Sequence, residues 1–135
     1  MRKVYFQNEH TTIIYNKEAS LGTVTCHGEV IGTDFREAIL ICLDMIDRFE
    51  LKCLIGDNSK CKAIASADLE WCQEVLLPQL ALGPVLKVAL LLSQSEARHG
   101  VIELVVDKEN SMGQKLFIRS LPDETEALAW FMEPG

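Results

Sequence analysis

The spacing of apolar residues changes near residue 33, and this change limits the possible folds more than any other feature of the sequence. Before it, the runs 3–7, 11–15 and 21–27 are short and rich in aromatic and β-branched residues, which predicts three strands. Strands this close in sequence leave no room for the long crossover that a parallel pair needs. We therefore predict that they pair antiparallel.

After this change, apolar residues recur at helical spacing. The positions are Phe35, Ile39, Cys42, Ile46 and Phe49. Asp34 and Glu37 predict a capping box at the start of this helix. Leu40, Ile41 and Leu43 widen its apolar arc beyond one stripe. Such an arc is buried either against a partner subunit, which predicts a homodimer, or against the sheet and a neighbouring helix; both remain open.

The rest of the chain alternates between apolar runs and helical patterns. We predict strands at 53–57, 85–92 and 115–119, a helix from Ser66 or Asp68 that Pro78 kinks or stops, and a helix at 96–107. A last helix, 123–132, is predicted to begin with an Asp-x-x-Glu pattern at Asp123 and Glu126. Alternation of this kind is typical of parallel strands with helices packed on the sheet. The prediction is one layered α/β domain, 1–135, with a mixed sheet: N-terminal antiparallel strands, then parallel strands alternating with four helices.

Composition excludes several classes of function. The formal net charge is -7, and no Lys/Arg cluster offers a basic face for nucleic acid or anionic lipid. The five cysteines are odd in number and irregularly spaced, which favours a reducing compartment over a disulfide framework. Neither a signal-peptide pattern nor a membrane-spanning apolar stretch is found, so the predicted location is cytoplasmic. We see no metal-binding or catalytic motif, and predict no cofactor and no enzyme activity.

Several short motifs in a fixed order resemble one known family. They are 54–58 (Leu-Ile-Gly-Asp-Asn), 68–71 (Asp-Leu-Glu-Trp), 76–78 (Leu-Leu-Pro), 87–90 (Lys-Val-Ala-Leu) and 126–131 (Glu-Ala-Leu-Ala-Trp-Phe). Together they resemble the STAS-like domains, and among them the small stand-alone bacterial SpoIIAA-like branch. The resemblance implies a SpoIIAA-like mixed sheet flanked by helices and a role in binding.

The same resemblance draws attention to Asp57, Asn58 and Ser59. Partner-switching members of the wider family are phosphorylated on the Ser of an Asp-x-Ser-Gly loop, whereas Lys60 stands here in place of Gly. Phosphate on Ser59 is one reading, and a turn whose polar side chains satisfy local backbone groups is the other. Asp68 and Trp71, at the start of the next helix, complete the set of candidate binding residues.

The residues and the resemblance together leave two candidate functions. In the first, the chain is a non-catalytic STAS-type regulatory domain that binds a protein partner through the loop 57–66 and the following helix. In the second, it carries or senses a small apolar, lipid-like ligand in a cleft between helix and sheet. The SpoIIAA-like branch is grouped with Sec14-type lipid-binding domains, and this grouping implies the second function.

Overall fold

The computed structural model describes residues 1–62, 64–93, 100–108 and 113–134. Its strands are β1 (Lys3–Gln7), β2 (Thr11–Asn16), β3 (Leu21–Gly28), β4 (Cys53–Cys61), β5 (Lys87–Leu91), β6 (Glu103–Asp107) and β7 (Lys115–Ser120). Its helices are α1 (Gly32–Phe49), α2 (Ser66–Trp71), α3 (Leu77–Leu82) and α4 (Glu124–Phe131), with a π-helical turn, Cys72–Leu76, joining α2 to α3. Residues 66–82 thus form one continuous helical segment.

The seven strands form one mixed sheet in the order β1-β2-β3-β4-β5-β7-β6. The pairs β1–β2 and β2–β3 are antiparallel, whereas β3–β4, β4–β5 and β5–β7 are parallel. The predicted α/β class and mixed sheet are therefore confirmed. The part of the chain that the structure describes has three helical segments, α1, 66–82 and α4, where four helices were predicted. Among the described residues, no helix is both long enough and apolar enough to cross a bilayer.

Alternation of side chains along the central strands gives the sheet two apolar faces. On the first, which we call the α1 face, Leu54 and Val88 pack with Met45 of α1. On the second, the α4 face, Ile55 and its neighbours on β5 pack against Ala127 and Trp130 of α4. Because both faces are covered, β4 and β5 read in the sequence as unbroken apolar runs.

The prediction of a helix over 96–107 is wrong for the residues of this range that the structure describes. Residues 103–107 form β6, antiparallel to β7, and residues 96–99 lie outside the described part of the chain. Successive apolar residues on β6 suit a strand better than a helix face, since Val is β-branched. The cross-strand pairs Glu103–Arg119, at 3.2 Å, and Asp107–Lys115, at 2.5 Å, further favour this pairing.

The capping box predicted at Asp34 and Glu37 is also wrong. Helix α1 begins at Gly32, where φ is +59°, a value that glycine adopts without strain, and residue 31 supplies no side-chain cap. The cap comes instead from Asp68 of α2, whose Oδ2 accepts a hydrogen bond from the Gly32 N–H at 2.9 Å. By contrast, the predicted start of α4 is confirmed, because Asp123 accepts from the Glu126 N–H at 2.9 Å.

The wide apolar arc of α1 is buried largely within the chain. Its buried residues are Phe35, Ala38, Cys42, Met45 and Ile46, and Ile41 and Leu43 pack on the same core. Leu40, at 52%, is the exposed member of the arc. The sheet and the helical segment 66–82 therefore account for the burial of the arc. This is the second predicted alternative, in which the arc packs against the sheet and a neighbouring helix.

Lys108 joins the far edge of the sheet to the end of α3. Its side chain is buried, and its Nζ donates to the carbonyl oxygens of Gly83 and Val85 at 2.5 and 2.9 Å and lies 3.5 Å from that of Leu80. A cation here complements the negative end of the helix dipole. Burial lowers the pKa of this amine.

We predict that the Asp68 cap is worth far more than the predicted Asp34 cap. Asp68→Asn should lower the free energy of unfolding by about 1–3 kcal/mol, because a buried charge-assisted cap and its contact with Arg36 are weakened. Asp34→Asn, on the exposed first turn of α1, should change it by less than about 0.5 kcal/mol. Urea titration measures both, and equal effects would contradict the cross-helix cap.

Candidate functional site: an apolar cavity between helix and sheet

A cavity of about 310 Å³ lies between the α1 face of the sheet and the helices that cover it. Its floor comes from β3, β4 and β5, with further side chains from β6 and β7. Helix α1 forms one wall, and the helical segment 66–82 forms another. The volume falls at the lower end of the range typical of small-molecule sites, roughly 300–1,000 Å³.

The floor follows from side-chain alternation on β4. Leu54, Gly56 and Asn58 all face the cavity, because they are two residues apart. Because Gly56 has no side chain, it leaves the floor of the cavity lower than Leu54 and Asn58 do on either side. A Cβ at this position would lie 3.3 Å from Leu90 Cδ2, so even alanine would press on the next strand.

The helical wall is shaped by the π-helical turn. Pro78 has no N–H and cannot continue the regular helical ladder, and the turn just before it makes an i→i+5 bond from the Leu77 N–H to the Cys72 carbonyl. The helix does not stop at Pro78: the segment continues to Leu82, and the π-helical turn lies immediately before the helical turn that contains the proline. Three residues of this turn, Cys72, Gln73 and Leu76, line the cavity.

No charged side chain lines the cavity among the residues that the structure describes. Aliphatic side chains dominate, with Phe35 as the aromatic member and the thiols of Cys26, Cys42 and Cys72 beside them. The amides of Asn58 and Gln73 are the polar side chains in this described lining. Such a surface favours apolar molecules and offers few polar contacts to orient them.

The three cavity thiols are unreactive groups in this setting. Burial raises the pKa of Cys26, raises that of Cys42 to about 12, and, with the nearby Asp68 carboxylate, raises that of Cys72 to about 11. A protonated thiol is a poor nucleophile and a poor metal ligand, so these side chains act as small apolar groups. Across the described part of the chain, no cluster of three or more metal-ligating residues occurs.

The segment 57–61 is strand rather than loop, which corrects the predicted loop 57–66. Strand β4 continues to Cys61, and Asn58 and Ser59 lie together opposite Cys26 as a bulge against β3. The Asp57 carboxylate accepts from the Ser59 N–H at 3.0 Å and from the Ser59 hydroxyl at 2.6 Å. These local bonds match the turn-like alternative proposed for this tripeptide.

The five candidate residues are therefore separated by the fold. Asn58 alone among them lines the cavity, whereas Asp57 continues the side of β4 that carries Ile55, opposite the cavity. Asp68 is 1% exposed and binds Gly32 and Arg36, so its role is structural.

Trp71 packs at the joint between α1 and α2. Its ring lies edge-on to Phe35, with 6.5 Å between centroids, and the Arg36 guanidinium stands 5.8 Å from its centroid. These contacts pack α1 against α2, the two helices that wall the cavity. Trp71 thus supports the cavity without lining it.

A cleft between helix and sheet was among the predictions, but most of the residues that line the cavity were not. The signals available were the small side chains at apolar positions: Cys26, Cys42, Gly56 and Cys72. Small residues set opposite one another on strand and helix leave space that larger residues would fill.

Comparisons of this chain with protein-family models, with curated proteins and with solved structures find no match.

The raised pKa of Cys42 predicts a loss of stability at alkaline pH. The unfolded chain releases this proton near pH 9, whereas the folded protein holds it until about pH 12. The resulting stabilisation is complete below pH 9 and falls by about 1.4 kcal/mol per pH unit above it. Urea titrations from about pH 8.5 to 10.5 should therefore show a shallower decline for Cys42→Ala than for wild type.

Val24→Ala is the matched control, because Val24 lines the same cavity and carries no titrating group. This variant should be less stable at every pH and keep the wild-type pH dependence. Equal slopes for wild type and Cys42→Ala would contradict the raised pKa.

Proposed function

We propose that this protein is a non-catalytic binding protein that carries or senses a small apolar molecule held in the cavity. The observation that carries the proposal is the cavity itself: about 310 Å³ between sheet and helices, with no charged residue in its described lining. An engineered apolar cavity of about 150 Å³ holds benzene, so about twice that volume suits a molecule of roughly ten to fifteen non-hydrogen atoms.

Energetics support an occupant. The cavity is partly open to solvent and its lining is mostly apolar, so apolar side chains that a closed core would bury are left in contact with water. A bound apolar molecule would cover this surface, and would gain free energy through dispersion contacts and through its own removal from water.

Filling part of the cavity should weaken the binding of an apolar probe. We use 1-octanol as the probe and Cys72→Leu as the filling variant, because Cys72 lines the cavity from the π-helical turn. Wild type should show a rise in Tm with 1-octanol. Cys72→Leu should bind it at least roughly fivefold more weakly, because the larger side chain occupies space that the probe needs and steric overlap of this kind costs about 1–3 kcal/mol.

Cys53→Leu is the matched control. Cys53 is also half-buried, but it packs on the α4 face of the sheet and does not line the cavity. Its response to 1-octanol should match that of wild type. The proposal fails if wild type does not respond to the probe and native mass spectrometry of protein purified from cells shows a bare chain.

A second function, protein binding regulated at Ser59, is supported by one observation. The Ser59 side chain is exposed, and its hydroxyl donates to Asp57 at 2.6 Å. A phosphoryl group on that oxygen removes the hydrogen bond and places about -1.5 to -2 charges beside a carboxylate. Repulsion would then reshape the bulge of β4, and with it any partner surface that includes the bulge and α2.

This second function predicts different partners for two variants. Ser59→Asp, which imitates the added charge, should lose or gain partners in a pull-down relative to wild type. Ser59→Ala should keep the wild-type set, because it removes the hydroxyl without adding charge. Identical partner sets for all three proteins would remove Ser59 as a switch.

The remaining expectations stay predictions. They are membership of the STAS-like, SpoIIAA-like family, a bacterial source, a cytoplasmic location, a homodimer, and the absence of nucleic-acid binding and catalysis. The resemblance supports the first two, and composition supports the location and the exclusion of nucleic acid.

A further inference from the structure

We infer that the cavity selects uncharged molecules that carry one hydrogen-bonding group, and that the Asn58 amide is the group that binds it. The inference rests on the proposed function and specifies its ligand: an apolar body with a neutral amide or hydroxyl end, not a fatty acid or an amine.

The described lining contains nothing that compensates an ionised ligand. Moving an unpaired carboxylate or ammonium from water into an apolar site carries a large desolvation cost. A neutral polar group has a far smaller desolvation cost, and a single hydrogen bond offsets that cost.

The buried charges closest to the cavity walls are already engaged. Lys108 approaches the wall at Leu80, but its amine donates to backbone carbonyls at the end of α3. Asp68 lies one turn from Cys72, but its two oxygens accept from Gly32 and Arg36. Neither charged group can bind a ligand unless these hydrogen bonds within the fold are broken.

Asn58 is placed to bind a neutral group. It lies on the cavity side of β4, half-buried, where the bulge with Ser59 begins. Its side-chain amide makes no hydrogen bond to any residue that the structure describes, although its backbone carbonyl accepts from the Cys61 thiol at 3.3 Å. An unpaired amide in an apolar wall offers one acceptor and two donor hydrogens to a ligand.

Gln73 is the second amide of the lining, and the two differ in exposure. The Gln73 side chain is exposed to solvent, so water satisfies it without a ligand. Asn58 is half-buried and gains more from a ligand partner, because a polar group loses solvation with burial. We therefore assign the specificity to Asn58.

The test compares molecules that share an eight-carbon chain and differ at one end. Octanamide, 1-octanol, octanoate and octylammonium are titrated into the intact protein at about pH 7.5, where the last two are ionised. Calorimetry or NMR shifts of the protein give each affinity. We expect octanamide and 1-octanol to bind, and each ionised compound to bind at least about tenfold more weakly.

A variant then tests the role of Asn58. Asn58→Leu should weaken octanamide by about fivefold relative to butylbenzene, a purely apolar probe measured on the same sample. Because both affinities come from one protein, a general loss of folding or of cavity shape does not imitate this change of ratio. Gln79→Leu, an exposed amide of α3 that does not line the cavity, is the matched control and should keep the wild-type ratio.

The outcomes separate the two proposals. If neither butylbenzene nor any octyl compound binds wild type, the proposed function itself is overturned. If apolar probes bind but octanoate or octylammonium equals octanamide, the selection of neutral molecules is overturned alone. If neutral probes are preferred and Asn58→Leu leaves the ratio unchanged, the role of Asn58 is overturned.

Discussion

The buried carboxylate of Asp68 holds together the two helical walls on which the cavity depends. It accepts hydrogen bonds from the first turn of α1 and from Arg36, while belonging to α2. Helix α1 has no side-chain cap of its own, so its start is defined by a residue 36 positions later. The aromatic contact between Phe35 and Trp71 also joins α1 to α2. Both contacts hold together the two helices that cover the α1 face of the sheet, where the cavity lies.

Local signals in the sequence were sufficient for much of the fold. The antiparallel N-terminal strands, the apolar parallel strands and the Asp123 cap of α4 depend on residues close in sequence, and the structure has all of them. The failures involve distant partners. Asp34 has the right spacing for a cap, but the helix begins two residues before it, at Gly32, whose N–H donates to the buried carboxylate of Asp68. The sequence of residues 103–107 fits both a helical and a strand pattern. Antiparallel pairing with β7 makes this segment a strand.

The candidate site was less predictable than the fold, for a physical reason. A cavity is defined by what opposing side chains fail to fill, and this depends on the pairing of β4 with β5 and on the path of the segment 66–82. Pro78 signalled a change in that path, but not that a π-helical turn would direct Cys72 and Gln73 towards the sheet. Asn58 stands out in the sequence for its place in Asp-Asn-Ser, and in the structure it lines the cavity whereas Asp57 and Ser59 do not.

The buried amine of Lys108 has a consequence for the rate at which any ligand exchanges. Lys108 follows β6 directly, and its amine holds the carbonyl oxygens at the end of α3. An outward swing of α3 must break these charge-assisted bonds, each worth about 1.5–3 kcal/mol when buried. Opening by that route would therefore be rare, and the lifetime of a complex would depend on the edge of the sheet as much as on the cavity. If the cavity binds a ligand as proposed, its affinity and its residence time are controlled by different residues.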